Sequence, residues 1–194
     1  SLVTDERFKL LTFTGSPSVG WKMKNDAKKK KVVLELGGNA GVLITSSADI
    51  DFAVKRCIVG AFAYAGQVCI HTQRIYADKK IFSIFKEKFI EETKKLKAGH
   101  PLDLSTDITS MIDEENAKRV EEWVNNAIKE GAELVCGGNR KGTFYEPTIL
   151  THTKHEMQVV CNEIFGPVVI LEPYEKFEDA IHLVNNSIYG LQAG

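Results

Sequence analysis

The chain has 194 residues, enough for one sizeable core or for one domain with part of another. Its hydrophobic content of 43% and charged content of 26% are ordinary for a globular protein, and no apolar run approaches the roughly 20 residues that span a bilayer. The 25 basic and 26 acidic residues leave a net charge of −1, which gives no general attraction to nucleic acid or to anionic membranes; small molecules are the expected partners.

Phe8 to Thr14 reads as a strand, and Gly15-Ser16-Pro17 turns it into a helix running to Ala27. Lys28 to Lys31 form a solvated loop, although four lysines in a row can also mimic a basic targeting patch. Val32 to Glu35 is a second short strand, which completes a strand, helix, strand unit of the kind that builds parallel sheets. Ala40 to Ile44 is a third strand. Ser47 or Asp49 caps a helix from Ile50 to Ala65, where Ile50, Val54, Ile58, Ala61 and Phe62 recur at helical spacing, and Gly66 ends it. Arg74 to Ala77 is a strand, and Ile81 to Leu96 a helix with Phe82, Phe85 and Phe89 on one stripe, closed by Gly99-His100-Pro101.

Asp113 to Glu130 is a further amphipathic helix with Val120, Trp123, Val124, Ala127 and Ile128 inward and Gly131 as its stop. Leu134 to Cys136, Thr148 to Leu150 and Val168 to Leu171 are strands, and Phe177 to Asn185 a last helix. The alternation predicts an α/β fold: a doubly wound, mostly parallel sheet with helices on both faces. Cys57, Cys69, Cys136 and Cys161 form no CxxC pair and no zinc-like spacing, and they suit a reducing cytoplasm. His152, His155 and Glu156 make an H-x-x-H-E string whose order and spacing differ from the helical H-E-x-x-H motif, so no metal is expected. The amino terminus lacks the charged and apolar regions of a signal peptide. With no initiator Met and a start just ahead of a strand, the chain reads as a piece of a longer protein, although processing or cloning also removes a Met.

Two residues stand out for chemistry. Cys69 follows a helix end in Gly66-Gln67-Val68-Cys69, a turn that can expose backbone donors to a substrate; a lone cysteine is more often an inert buried side chain. Glu35 ends its strand ahead of Gly37-Gly38, at the carboxyl end where open α/β sheets bind ligands; the bland reading is a surface ion pair. A thiol that attacks a carbonyl and a carboxylate that activates water form the minimal pair for making and hydrolysing a thioester. Gly15-Ser16, at a helix start, either presents N–H groups and a hydroxyl to a phosphate or serves as a plain cap.

Glu35-Leu36-Gly37-Gly38 and Gly66-Gln67-Val68-Cys69 resemble motifs of the aldehyde dehydrogenase superfamily. So do Phe13-Thr14-Gly15-Ser16 with Gly20, Asn162-Glu163-Ile164-Phe165-Gly166-Pro167, and Tyr189-Gly190-Leu191, in the family's order. The intervals fit as well, 34 positions from Glu35 to Cys69 and 94 from Cys69 to Glu163. The resemblance spans nearly the whole chain, and the chain holds less than half of a complete member.

The resemblance implies NAD(P)-dependent oxidation of an aldehyde to a carboxylic acid through a thiohemiacetal and a thioester on Cys69, with the Cys69 N–H helping to hold the oxyanion. Glu35 becomes the general base for deacylation; relatives that pass the acyl group to coenzyme A or phosphate have no need of one. The cofactor is NAD or NADP, with its pyrophosphate near Gly15 and Ser16, Gly20 letting the helix pack closely, and Leu36 and Gly37 near the nicotinamide. Glu163 accepts from the nicotinamide ribose hydroxyls, and Phe165 lines that site. Val68 and Ile70, flanking the nucleophile, hint at an apolar substrate throat.

By the same resemblance, residues 1–38 end a dinucleotide-binding domain and 39–194 belong to a catalytic domain truncated at its carboxyl terminus. The parent is a cytoplasmic homo-oligomer, and the isolated piece is inactive. Asn39-Ala40-Gly41 departs from the Lys or small polar residue followed by Pro that most members carry there, which leaves the subfamily open. Two rivals remain. A cysteine-dependent ester or thioester hydrolase needs a His paired with Cys69, and only His71 is close in sequence. A non-catalytic homologue acting as an interaction module is opposed by the intact Cys69, Glu35 and Glu163.

Overall fold

One strand, Thr72–Asp78, is buried along almost its entire length, and the larger sheet is organised around it. The computed structural model describes residues 1–194, which divide into two units, Ser1–Gly37 and Gly38–Gly194.

In the first unit β1 (Leu10–Thr14), α1 (Pro17–Asp26) and β2 (Lys31–Glu35) form a strand, helix, strand unit. The strands pair in parallel, from Leu10 beside Lys31 to Thr14 beside Glu35. Parallel neighbours cannot be joined by a tight turn, and α1 supplies the crossover. Pro17 starts α1 where its missing N–H has no helical partner to lose. Lys28, at φ 54°, then turns the chain toward β2, and Lys31 belongs to that strand instead of the preceding loop.

The second unit contains β3 (Ala40–Ile44), α2 (Ile50–Phe62), β4 (Thr72–Asp78), α3 (Phe82–Lys95), α4 (Glu114–Lys129), β5 (Glu133–Cys136), β6 (Arg140–Lys141), β7 (Phe144–Tyr145), β8 (Thr148–Thr151), α5 (Gln158–Cys161), β9 (Val168–Tyr174) and α6 (Phe177–Asn185). Five strands make one sheet in the order β3-β4-β9-β8-β5. All neighbours run parallel except β5, which lies antiparallel to β8 at the edge. Beyond β3, Ala193 bridges to Gly41 in parallel. The β6 and β7 segments pair as a separate antiparallel ladder.

Alternation along the strands distributes the core between the two faces. Ile75, Ala77, Ile149, Val169 and Leu171 cluster with Phe62 of α2 and Phe85 and Phe89 of α3. Leu150, Val168 and Ile170 cluster instead with Val120 and Val124 of α4 and Val159 of α5. A third cluster joins Tyr76 and Tyr174 to Ala180 of α6. Helices therefore cover both faces, which is why β8 and β9 are apolar at consecutive positions. Asp49 caps α2 by accepting from the Phe52 N–H at 3.0 Å, and Asp113 caps α4 by accepting from the Asn116 N–H at 2.7 Å.

The expected and observed elements differ where local pattern carries no signal. α2 stops at Phe62 instead of Ala65, because Tyr64 and Ala65 (φ 54°) and Gly66 (φ 68°) all turn left-handed. Helical spacing of apolar residues does not register that turn. Ile128, at the rim of the α4 stripe, is 37% exposed instead of inward. The β6–β7 ladder and the four-residue α5 are too short to display a period. β1 begins at Leu10, and β4 and β9 extend to Asp78 and Tyr174, where pairing with neighbours carries them past their apolar runs.

Phe89 is fully buried, with its ring 5.7 Å from Phe85 and 6.1 Å from Phe62. Phe89→Ala should lower the unfolding free energy by about 3–5 kcal/mol in urea titration; a loss below about 1 kcal/mol would mean that this stack does not hold α3 to the sheet.

Candidate active site

Cys69 is delivered by a strained turn. After the left-handed Tyr64-Ala65-Gly66 run, the His71 N–H donates to the Val68 carbonyl at 3.0 Å, leaving Cys69 and Ile70 at the centre of the turn. Left-handed backbone at a non-glycine residue costs on the order of 1 kcal/mol or more, so Tyr64 and Ala65 need restraint from their surroundings. Gln67 supplies part of it, accepting from the Ile112 N–H at 2.9 Å and donating to the Tyr64 carbonyl at 3.3 Å. Gly66 supplies the rest, because its Cα faces the Gly166 carbonyl so closely that any Cβ would overlap it. On the other side, a Cβ on Gly38 would overlap the Cys69 carbonyl oxygen. Cys69 is partly exposed, as is Val68, and Ile70 is 50% exposed.

Glu163 lies across Gly38 from Cys69. Its Oε1 accepts the Gly38 N–H at 2.8 Å. Burial pushes the Glu163 carboxyl above the usual range, opposed by that N–H and by the Arg119 charge. Arg119 also donates to the Ile164 carbonyl at 2.8 Å and lies over the Trp123 ring. Phe165 follows with φ 45° and is 38% exposed. Cys69, Gly38 and Glu163 thus meet just before the first residues of β4, β3 and β9. In this unit the site stands at the amino-terminal edge of the parallel strands, opposite to the edge that open α/β sheets usually use.

In the first unit, Glu35 closes β2 in an exposed position, and its carbonyl accepts the Gly15 N–H at 3.0 Å. Ser16 precedes α1 with no side-chain bond to the helix backbone; its hydroxyl lies 3.3 Å from that of Ser18. Gly20 is buried, and a Cβ there would overlap the Leu36 side chain, so α1 lies tight against Leu36. Gly15, Ser16 and Glu35 gather at the carboxyl end of the strand pair, with Leu36 and Gly37 following. Glu35 and Cys69 belong to different units.

His71 is 4% exposed, and burial pushes its pKa down to about 4 against a hydrogen bond to the Ala61 backbone. Its Nε2 is buried without a partner and so is not paired with Cys69. Burial raises the Cys57 thiol to about 12 and raises Cys136 as well. Cys161 Sγ is tied to the Glu156 carbonyl. No His, Cys, Asp and Glu side chains gather into a group that could hold a metal ion, and no helix is long and apolar enough to cross a membrane.

Sequence reasoning missed Asn39, Gln73 and Arg119, and it assigned Gln67 no role. Gln73 sits between Thr72 and Arg74 in a polar run that gives no local sign of burial, and Arg119 sits on a helix face where charge is ordinary.

A model of the aldehyde dehydrogenase family matches residues 1–194. The chain belongs to the aldehyde dehydrogenase family. It is 45% identical over 193 residues to 3-sulfolactaldehyde dehydrogenase of Priestia aryabhattai, covering all of this chain and 40% of that relative. Aldehyde dehydrogenase 21 from Physcomitrella patens, solved with the reaction product succinate, superposes with a TM-score of 0.96 at 47% identity, over 99% of this chain and 40% of that one. Glyceraldehyde-3-phosphate dehydrogenase from Methanocaldococcus jannaschii, complexed with NADP, gives 0.94 at 38% identity, over 99% and 42%. The chain thus spans about 40% of the length of these family members.

Two outcomes follow for the thiols and for His71. In the full-length protein, limited alkylation with peptide mapping should label Cys69 ahead of Cys57, Cys136 and Cys161, because access and thiolate character set the rate; faster labelling of any other would remove Cys69 as the candidate nucleophile. The unfolded chain protonates His71 near pH 6.5 and the folded chain only near 4, so the unfolded state binds more protons in between and stability falls as pH drops. Relative to His71→Gln, the wild type should lose roughly 3 kcal/mol of unfolding free energy from pH 6.5 to pH 4. An unchanged difference across that window would mean that His71 titrates normally in the folded protein.

Proposed function

We propose that the chain carries the catalytic centre of a nicotinamide-dependent aldehyde dehydrogenase that oxidises an aldehyde to a carboxylic acid. The observation that carries the reading is Gly38, whose N–H serves the Glu163 carboxylate while its Cα lies against the Cys69 carbonyl. That contact sets the backbone of a partly exposed cysteine against the residue that binds a partly buried carboxylate, as a covalent site next to a hydroxyl-rich ligand requires. Residues 1–38 are the end of the dinucleotide-binding domain and 39–194 the catalytic domain of the longer enzyme.

The residues fit a nicotinamide dinucleotide. The Ser16 hydroxyl, which makes no bond to the helix backbone, and the first-turn N–H groups of the ten-residue α1 suit a pyrophosphate, and Glu163 suits ribose hydroxyls, with Phe165 beside it. NAD or NADP, when bound, supplies the hydride acceptor. Cys69 as thiolate attacks the aldehyde carbon, and its own N–H stabilises the oxyanion of the thiohemiacetal. Loss of hydride from that carbon leaves a thioester on Cys69. Glu35 takes a proton from water, the hydroxide adds to the acyl carbon, and the carbon–sulfur bond breaks to release the acid and the thiolate. Val68 and Ile70 flank the acyl group with apolar surface. The hydrolase alternative lacks a base for Cys69, since His71 is buried, hydrogen-bonded to the Ala61 backbone, and its Nε2 meets no partner.

Glu35→Gln in the complete enzyme separates the steps. Glutamine cannot take the proton, so steady turnover should fall by roughly 10²- to 10⁴-fold while one equivalent of reduced cofactor still forms in a burst. Stopped-flow absorbance and intact-protein mass spectrometry follow the burst and the trapped acyl-enzyme. Unchanged turnover would remove Glu35 as the deacylation base, and loss of the burst as well would make it the base that generates the Cys69 thiolate.

A further inference from the structure

The Gln73 side chain is 1% exposed, in β4, four residues after Cys69, and spends its amide on one segment. Its Nε2 donates to the Val159 carbonyl at 2.8 Å and the Asn162 carbonyl at 2.7 Å, while its Oε1 accepts the Ile164 N–H at 3.0 Å. The residues immediately before and after Glu163 are therefore tied to the same side chain. Asn39, next to Gly38 and 5% exposed, grips the segment from the other side. Its Nδ2 donates to the Val160 carbonyl at 2.7 Å and reaches the Asn162 carbonyl at 3.4 Å.

Those carbonyls need partners. Val159 and Val160 lie in α5, a single turn whose last C=O groups have no helical N–H to accept from, and a helix of four residues does not hold itself together. An amide suits the task, because it alone among neutral side chains offers two donors and an acceptor at once. With the backbone fixed on both sides, Glu163 keeps only its own torsions, and the Gly38 N–H sets those.

We infer that Gln73, assisted by Asn39, is a positioning residue for cofactor binding: it fixes the backbone on both sides of Glu163 relative to β4, the strand that follows Cys69. The inference rests on the reading of Glu163 as a ribose ligand. It assigns Gln73 no contact with substrate or cofactor, and it explains why a polar side chain occupies the core of β4. A displacement of about 1 Å in such a group is enough to cost up to a hundredfold.

The test is a double-mutant cycle in the full-length enzyme, with cofactor Kd by calorimetry and separate KM values for cofactor and aldehyde. Gln73→Met keeps the bulk and removes all three bonds; Gln73→Glu keeps the acceptor for Ile164, and it serves as the second variant should the methionine protein fail to fold. Either should weaken cofactor binding by about tenfold or more while the aldehyde KM stays within about twofold. Combined with Glu163→Gln, the Gln73 variant should add nothing to the loss caused by Glu163→Gln alone. Additive losses, or unchanged cofactor affinity in both Gln73 variants, would overturn the clamp and leave the ribose role standing. Unchanged affinity in Glu163→Gln would overturn the ribose role and the clamp with it.

Discussion

The burial of Gln73 and Arg74 side by side in β4 is the constraint on which the second unit depends. A strand covered on both faces has no water to offer polar side chains, so each must find protein partners or destabilise the fold. Arg74 has no carboxylate; it donates to the Leu183 carbonyl at 2.8 Å, to that of Val184 at 3.0 Å and to that of Asn39 at 2.9 Å. The first two belong to the last turn of α6, where the helix dipole favours a cation. Gln73 reaches the opposite way, into the segment that carries Glu163. One pair of adjacent residues thereby anchors α6, the entry to β3 and the turn before β9.

That demand explains where the site stands. Gly38 and Asn39 precede β3, Cys69 precedes β4, and Glu163 to Pro167 precede β9, so the three loops converge at one edge of the sheet. Close approach is possible because two of them present glycine to another's carbonyl, Gly38 to Cys69 and Gly66 to Gly166. The positive φ values at Tyr64, Ala65 and Phe165 are concentrated in the same loops. Ile164, just before Phe165, is pinned through its N–H by Gln73 and through its carbonyl by Arg119, which restrains the strained residue beside it.

Much of this was legible in the sequence. The spacing of Ile50, Val54, Ile58 and Ala61, the turn at Gly15-Ser16-Pro17 and the apolar runs of β3 and β9 express local preferences that tertiary contacts reinforce. The five motifs marked Cys69, Glu35 and Glu163 because chemistry-bearing residue types recur there in a fixed order. The left-handed exit from α2, the exposed Ile128 and the single-turn α5 were not legible, since each depends on a surface that comes from elsewhere in the chain.

The sequence by itself determined the α/β alternation, the membership of the aldehyde dehydrogenase family and the identities of the candidate nucleophile and carboxylates, all of which are written in residue type and interval. Only the tertiary structure decided that Gly38 stands between Cys69 and Glu163, that His71 is sealed and neutral, and that Gln73 and Asn39 hold the Glu163 turn. Hydrogen bonds and burial between positions as far apart as 39 and 162 leave no periodic trace along a chain, because folding alone brings those groups within reach of each other.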